Sequence, residues 1–361
     1  MKRLPKKAIE LVVDVRNHAQ LKTAVRFGAG AIVIGQKSLI SNQRWHAEEL
    51  ETGILFAHQN ACRVFLDLSG QLTSSQVKEI KKVLFRKIPL GIDALLISDE
   101  GLLFQLQNLE RNLPIHFYCH SAIHNIQQIY FWKNQGVERL FMPPLSNLLQ
   151  ITQLIQESSK IMDFELQLHG PLNPLDLQDI GDSSILYSER LDLCTIQHIP
   201  ALLKTGALGF RIIDHNYSQY DLAILCKIYR QALDTAATNP KRYRVLPEWQ
   251  YEIEKIRHQP YSTAAYWGAE SKVRFDNLHE RRHSHYETIG KTLGYDVQNS
   301  EVEIALTHSV EPSEMLRILD PHLREILALQ APQQPLKSKK FKLNSAIAIT
   351  PNSLVCRNYT P

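Results

Sequence analysis

The amino-acid sequence predicts an α/β protein whose residues 1–238 form a (β/α)8 barrel of the TIM type. Eight short apolar stretches alternate with segments of helical periodicity, at intervals of roughly 20 to 45 residues. Such alternation is typical of parallel strands joined by crossover helices. The predicted strands are Glu10–Val15, Ala31–Gly35, Arg63–Ser69, Ala94–Asp99, Ile115–His120, Arg139–Pro143, Phe164–His169 and Gly209–Asp214.

Glycines mark the ends of several intervening helices. Gly28, Gly136 and Gly206 each follow a predicted helix, at the place where a C-terminal cap needs a left-handed backbone. The alternative, a doubly wound sheet, usually carries a glycine-rich phosphate turn after its first strand. Here residues 14–20, DVRNHAQ, follow that strand, so the barrel is favoured. The predicted helices are His18–Phe27, His46–Gln59, Ser75–Phe85, Ile123–Asn134, Leu145–Glu157 and Ile196–Lys204.

The rest of the chain has a different character. Residues 239–290 are rich in aromatic and basic side chains and predict an irregular extension, and residues 291–361 predict a small β-rich domain. Within that domain, residues 300–306, SEVEIAL, alternate as a strand does. A helix is predicted at Pro312–Leu329, and residues 331–342 form a linker to the last strand.

Composition limits the class of protein. The 361 residues are 44% hydrophobic and 22% charged, which is typical of a globular protein. The apolar runs are far shorter than the roughly 18 residues of a membrane span, so we expect a cytoplasmic protein without a membrane segment. The five cysteines are scattered and form no C-x-x-C motif, which indicates reduced thiols and argues against a zinc ribbon. The net charge of +4 is compatible with nucleic-acid binding.

Candidate site residues come from the carboxyl ends of the strands, which surround the active site of such barrels. His169 and Asp214 end the last two strands and would form an acid–base pair, although a structural role for the histidine is equally compatible. The other candidates are predicted to bind substrate, and they are Gln36, His120, Asn125 and Arg211. Cys119 is not predicted to act with His120, because adjacent strand residues point to opposite sides of the sheet.

Two further segments have a possible chemistry. The histidines of residues 279–285 flank Arg281 and Arg282, whose charge opposes a cation, so no metal site is predicted. Residues 241–244, KRYR, residues 257–268, RHQPYSTAAYWG, and residues 337–342, KSKKFK, would suit phosphate contacts and base stacking on RNA, and a solvated linker explains them almost as well.

An ordered set of motifs lies between residues 8 and 268. Its segments are residues 10–37, ELVVDVRNHAQLKTAVRFGAGAIVIGQK; 90–103, LGIDALLISDEGLL; 113–142, LPIHFYCHSAIHNIQQIYFWKNQGVERLFM; 164–172, FELQLHGPL; 188–215, SERLDLCTIQHIPALLKTGALGFRIIDH; and 256–268, IRHQPYSTAAYWG. This ordered set resembles peptidase family U32, the collagenase-like peptidases. The resemblance implies a barrel that acts in RNA hydroxylation or quinone hydroxylation, with a four-iron four-sulfur cluster held by cysteines.

Departures from the family pattern concern the cluster. Asn173 stands where the resemblance places the first cluster cysteine, and residues 174–184, PLDLQDIGDSS, lack the cysteine that should come next. Residues 211–215, RIIDH, replace the sequence Lys-Ile-Glu-Gly-Arg. Because iron needs thiolate ligands in such clusters, we expect no cofactor in this chain, as in a degenerate member of the family.

The resemblance therefore leads to three hypotheses. The first is a non-catalytic or weakly catalytic subunit in tRNA wobble-uridine hydroxylation, in a hetero-oligomer with a cluster-bearing paralogue and in possible contact with tRNA. The second is a hydrolase of the peptidase type that uses His169 and Asp214. The third is an RNA-binding or scaffold protein whose basic C-terminal segment makes the contacts.

Overall fold

The computed structural model describes residues 9–35, 47–70, 72–78, 80, 91–107, 113–144, 147–172, 191–213, 217–257, 259–267, 286–320, 323–333 and 339–358. The chain divides into two compact units. The first consists of Met1–Asn216, Leu225–Gln250 and His258–Asn277, and the second of Tyr217–Ile224, Tyr251–Arg257 and Leu278–Pro361. Both units thus contain residues of the segment 239–290.

Ten strands build the described part of the first unit, and eight of them close into a parallel barrel. The barrel strands pair in chain order from β1 to β7, and β9 pairs with both β7 and β1, which closes the ring. The predicted (β/α)8 barrel is confirmed. The strands are β1 Glu10–Val15, β2 Ala31–Gly35, β3 Arg63–Asp67, β4 Ala94–Ile97, β5 Ile115–Tyr118, β6 Val137–Met142, β7 Asp163–Pro171, β8 Asp192–Cys194, β9 Gly209–Ile212 and β10 Tyr261–Ser262.

Helices follow the strands, and asparagines begin three of them. Asn17 accepts a hydrogen bond from the backbone N–H of Gln20, and Asn147 does the same for Leu149. The helices are α1 His18–Arg26, α2 Ala47–Gln59, α3 Glu100–Gln107, α4 Ile126–Asn134, α5 Leu148–Ser158, α6 Ile199–Lys204, α7 Gln219–Thr238, α8 Pro247–Lys255 and α9 Ala264–Trp267. Residues 74–78 are also helical, and most of the remaining predicted helix there lies outside the described residues.

The predicted C-terminal caps are confirmed. Gly28, Gly136 and Gly206 have φ values of +102°, +82° and +90°, the left-handed region that an L side chain rarely adopts. Each turns the chain from a helix towards the next strand.

A small extension lies beside the barrel. The last residues of β7 pair antiparallel with β8, where His169 faces Cys194, and β10 then pairs parallel with β8. A register shift between Gln167 and His169 interrupts the pairing of β7 with β9, and His169 then pairs with Ile212 of β9 and with Cys194 of β8. The irregularity changes the direction in which the end of β7 presents its side chains.

The second unit contains an antiparallel sheet with the strand order β14-β13-β16-β11-β12-β15. Its core includes Ile289, Ile304, Leu316, Ile318 and Val355. The predicted β-rich C-terminal domain is confirmed. The strands are β11 Tyr286–Asp296, β12 Glu301–Leu306, β13 Met315–Leu319, β14 Glu325–Gln330, β15 Lys340–Asn344 and β16 Leu354–Asn358.

The helix predicted at Pro312–Leu329 is wrong, since this segment contains the hairpin of β13 and β14. Leu316 and Ile318 are both fully buried in the sheet core, which is the two-residue periodicity of a strand. Asp320 accepts a backbone hydrogen bond and a guanidinium hydrogen bond from Arg324, which stabilises the turn. Packing against neighbouring strands thus overrides the helix propensity of the leucines.

Candidate functional site

Charged side chains from five strands lie inside the barrel. Alternate residues of a barrel strand face the interior, and in this protein several of those positions carry arginines or carboxylates instead of apolar groups. An apolar cluster that includes Val12, Val33, Phe65 and Leu96 fills the space between them. The charged residues are Glu10 and Asp14 of β1, Arg63 and Asp67 of β3, Arg139 of β6, Glu165 of β7 and Arg211 of β9.

The deepest ion pairs centre on Glu10. Its carboxylate accepts hydrogen bonds from Arg63 Nε and from Arg139 Nη1, each with a donor–acceptor distance of 2.8 Å. Arg139 Nη1 also donates to Glu165 Oε2 at 3.2 Å. Burial alone would raise the pKa of Glu10, but the charges of Arg139 and Arg63 outweigh it and hold the pKa below its usual value. Glu10 is therefore ionised within a buried ionic network.

Two neighbours shape this network. The guanidinium groups of Arg63 and Arg139 lie 4.9 Å and 5.8 Å from the centre of the Phe65 ring, which faces both cations. Gly209 of β9 leaves room for the side chains of Arg139 and Glu165. A Cβ atom at position 209 would lie 2.9 Å from Glu165 Cγ and 3.0 Å from Arg139 Nη1. A side chain at position 209 would displace the ion pair between Arg139 and Glu165.

Nearer the carboxyl ends of the strands, Arg211 contacts three carboxylates. Its Nε donates to Asp14 Oδ1 at 2.7 Å, its Nη2 lies 3.6 Å from Asp67 Oδ2, and its Nη1 lies 3.9 Å from Glu165 Oε1. Burial opposes the charge of Arg211, but these carboxylates raise its pKa, so the group stays protonated.

The carboxylates beside Arg211 are the accessible part of this arrangement. The Arg211 side chain is only 4% exposed, whereas those of Asp14 and Asp67 are 18% and 22% exposed. The buried Arg211 thus holds the carboxylates of Asp14 and Asp67 in place. Their oxygen atoms can accept hydrogen bonds from a ligand at the barrel mouth, the opening at the carboxyl ends of the strands. Arg211 was predicted from the sequence, whereas Asp14 was not among the predicted site residues.

A row of rings connects Arg211 with another predicted residue, His120. The guanidinium of Arg211 lies 5.4 Å from the centre of the Phe141 ring, and Tyr118 stacks on Phe141 at 4.7 Å between ring centroids. The exposed His120 ring follows, 5.2 Å from Tyr118. The structure therefore brings His120 and Arg211 to one aromatic wall, while Gln36 lies outside the described residues.

Asn125 has a structural contact. Its side chain accepts a hydrogen bond from the backbone N–H of Gln128, and the side chain of Gln128 accepts one from the backbone N–H of Asn125. This reciprocal capping box begins α4. The predicted role of Asn125 in substrate binding stays a prediction.

His169 lies among aromatic side chains of other elements. It is fully buried, its Nδ1 is 3.0 Å from the hydroxyl of Tyr229 on α7, and its ring meets the ring of Tyr261 edge-on at 5.3 Å. The register shift before His169 explains this direction. The predicted partner Asp214 lies outside the described residues, so the acid–base pair stays a prediction.

The cysteines do not form a metal site with their neighbours. All five are buried as free thiols, and burial together with the nearby Glu100 raises the pKa of Cys119 to about 12. Across the described ranges, three or more histidine, cysteine, aspartate or glutamate side chains are nowhere grouped to hold a metal ion. The donor set of these residues therefore does not fit a cluster with four thiolate ligands. The histidines of residues 279–285 lie outside the described part of the chain.

Among the described helices, none is long and apolar enough to cross a bilayer.

Comparison with known proteins supplies independent information. The sequence model of the family described as Peptidase family U32 matches residues 16–173 and 178–274. A tRNA hydroxylation protein P1 of Bacillus subtilis is 20% identical over 96% of this chain and 94% of its own length. An uncharacterized protease of Methanocaldococcus jannaschii is 25% identical over 86% of each chain. A tRNA hydroxylation protein P2, also of Bacillus subtilis, is 20% identical over 69% of this chain and 93% of its own.

Proposed function

Because the chain belongs to peptidase family U32, we propose that it acts in the hydroxylation of tRNA, as the subunit without a cluster beside a cluster-bearing paralogue. The names of the two Bacillus subtilis relatives support the reaction class. Those two relatives come from one organism, which is compatible with a pair of homologous subunits. The partnership itself is the proposal.

The donor set carries the proposal that this subunit has no cluster. The sequence after His169 and Gly170 has no cysteine between residues 171 and 190, where the resemblance places cluster ligands. The cysteines present elsewhere are buried thiols, and high thiol pKa values such as that of Cys119 oppose the thiolate form that iron requires. The chemistry of oxygen transfer would then belong to the paralogue.

The barrel mouth supports a binding role. Asp14 and Asp67 are fixed by Arg211 and accept hydrogen bonds, and the exposed ring of His120 extends the wall formed by Tyr118. A planar base with N–H donors would match such a site by stacking and hydrogen bonding. In the proposed complex this mouth holds a polar group of the RNA or of a small co-substrate.

Iron content tests the cluster-free subunit. Purified alone without oxygen and treated with iron and sulfide, the chain should stay colourless, because it lacks the four thiolates of such a cluster. Co-expressed with the cluster-bearing paralogue, the two chains should purify together, with iron present only in that complex. Iron and acid-labile sulfide are measured in both preparations. Stoichiometric iron and broad visible absorbance in the chain alone would contradict the proposal.

A strain in which the gene for this chain is deleted tests whether the chain acts in tRNA hydroxylation. Nucleosides of the tRNA from this strain, analysed by mass spectrometry, should lack the hydroxylated wobble uridine, and expression of the wild-type chain should restore it. A second strain that also lacks the paralogue gives the background level of the modified nucleoside. Hydroxylation in the first strain at the wild-type level would exclude this function. A loss that the paralogue alone reverses would show that this chain is dispensable.

Exposed cations after α7 provide a test of tRNA contact. Lys241, Arg242 and Arg244 are exposed around the short helical turn Pro240–Arg242. Lys241→Glu together with Arg242→Glu should weaken tRNA binding, and each lost phosphate contact should lower the slope of log affinity against log salt by about 0.7–0.9. Binding is measured by filter retention across a salt series.

The control carries the same change in net charge at another place. Lys160→Glu together with Lys204→Glu alters two exposed lysines and should leave the salt slope within error of the wild type. Equal losses in the two double variants would mean that net charge, not this turn, determines the affinity.

A further inference from the structure

Three consecutive helices of the barrel expose large apolar side chains. Leu149, on the first turn of α5, is 74% exposed, and Phe131 of α4 is 54% exposed. Tyr130 of α4 and Phe104 of α3 are also exposed. Exposed aromatic residues in one region mark protein–protein interfaces more often than ordinary surface. We call the outer surface of these helices the α3–α5 face.

The three helices are neighbours, and the aromatic groups are held in place. Gln107 at the end of α3 donates through Nε2 to the carbonyl oxygen of Gln135 after α4, at 2.9 Å, and α4 packs against α5. Trp132 stacks on Phe117 of β5 at 4.0 Å, and Phe131 meets Trp132 edge-on at 5.0 Å. Phe131 therefore projects from a fixed base, which lowers the entropy that binding would cost.

The helices of the α3–α5 face, over the residues that the structure describes, carry few charges. The three helices comprise eight, nine and eleven residues, and each contains one charged side chain: Glu100, Lys133 and Glu157 respectively. Most of the polar residues of these helices are glutamines. The exposed glutamines are Gln107, Gln127, Gln150, Gln153 and Gln156. Depletion of charge with enrichment of aromatic groups is the composition of an interface core.

We propose that a second copy of this chain binds the α3–α5 face, as a two-fold dimer. Nucleic acid is a poor match because phosphates require cations, and a strongly charged protein would find no opposite charge here. A glutamine amide both donates and accepts hydrogen bonds, so a glutamine-rich surface is complementary to itself. The chain carries a net charge of +4, and two copies approach with least repulsion through their neutral faces. The same patch then serves both subunits.

This dimer goes beyond the proposed function, which concerns the association of this chain with a different subunit. The test uses the full chain alone, analysed by light scattering after gel filtration at micromolar concentration. We expect the wild type to have twice the mass of one chain. Phe131→Glu together with Leu149→Glu should halve the measured mass, because the interface would then have to bury carboxylates in place of apolar side chains. Circular dichroism and the melting temperature verify that the variant is folded.

The matched control is Leu55→Glu, an exposed leucine on α2 outside the α3–α5 face, which should remain dimeric. A monomeric wild type overturns the proposal, as does equal dissociation of the control. Association only after the cluster-bearing paralogue is added also overturns it, while leaving the proposed function intact. If the double variant does not fold, hydrogen exchange of the wild type decides: residues 126–134 and 148–158 must gain protection as concentration rises.

Discussion

Replacing Arg139 with methionine should lower the free energy of unfolding by about 3–5 kcal/mol, the usual cost of removing one partner from a buried ionic network. Arg139 donates to both Glu10 and Glu165 inside the barrel, and methionine restores the volume without the charge. Glu10 and Glu165 would then keep their buried charges with fewer cations to balance them. Urea unfolding followed by circular dichroism measures the loss.

The control is Lys342→Met on β15. Lys342 pairs with Glu301 at 3.3 Å, and the two side chains are 50% and 31% exposed, so its loss should cost no more than about 1 kcal/mol. Similar losses in the two variants would show that the buried network contributes no more than a surface ion pair.

The same network gives a pH dependence. The folded-state pKa of Glu10 lies below its ordinary value of 4.5, so its contribution to stability is complete above that value. The contribution disappears as the pH falls through the folded-state pKa. The difference between wild type and Arg139→Met should therefore shrink on acidification below about pH 4.5. A difference that grows on acidification would contradict the assigned charge states.

Gly170→Ala should destabilise the protein by at least about 3 kcal/mol, more than the 1–2 kcal/mol of a left-handed backbone alone. Gly170 has a φ of +114°, and a Cβ atom there would lie 2.4 Å from the backbone oxygen of Ile213. A backbone atom cannot move away as a flexible side chain can, so β7 and the residue after β9 would have to separate. Thermal and urea unfolding give the change.

Gly136→Ala isolates the backbone part of this effect. Gly136 has a φ of +82°, but a Cβ atom there would have no neighbour within 4 Å, so the expected loss is about 1–2 kcal/mol. If both alanine variants lose the same stability, the close approach of Ile213 to Gly170 has no energetic importance.

The sequence predicts the barrel well because its signals are local. Strands such as Ala31–Gly35 are continuous apolar runs, and glycines such as Gly28 end helices through a conformation that few other residues adopt. The hairpin of β13 and β14 escapes prediction, because its residues have helix propensity, and β13 lies in the sheet through its pairing with β16 as well as with β14. The pairing with β16, more than 30 residues further along the chain, cannot be read from the local sequence of β13.

The candidate site is only partly predicted, because some of its residues have a local sequence signal and others do not. Arg211 follows from its place near the end of a strand, but Glu10 and Arg63 are recognisable only as charges at alternate positions of apolar strands. That signal is present in the sequence and indicates interior positions once the barrel is assumed. The direction of the His169 side chain depends on a register shift that cannot be predicted from the residues around it. Strand ends therefore locate a pocket better than they locate the side chains that line it.

The charged interior also bears on how the chain is made. Glu10 pairs with Arg139, 129 residues later, and Asp14 with Arg211, 197 residues later. At about 5–20 residues per second, a ribosome delivers Arg139 on the order of ten seconds after Glu10. In that interval the charges of these strands hold water on the inner side of an incomplete sheet, where an apolar lining would attract other chains. We therefore expect the charged groups of the early strands, which later form the ion pairs of the closed barrel, to limit aggregation before closure.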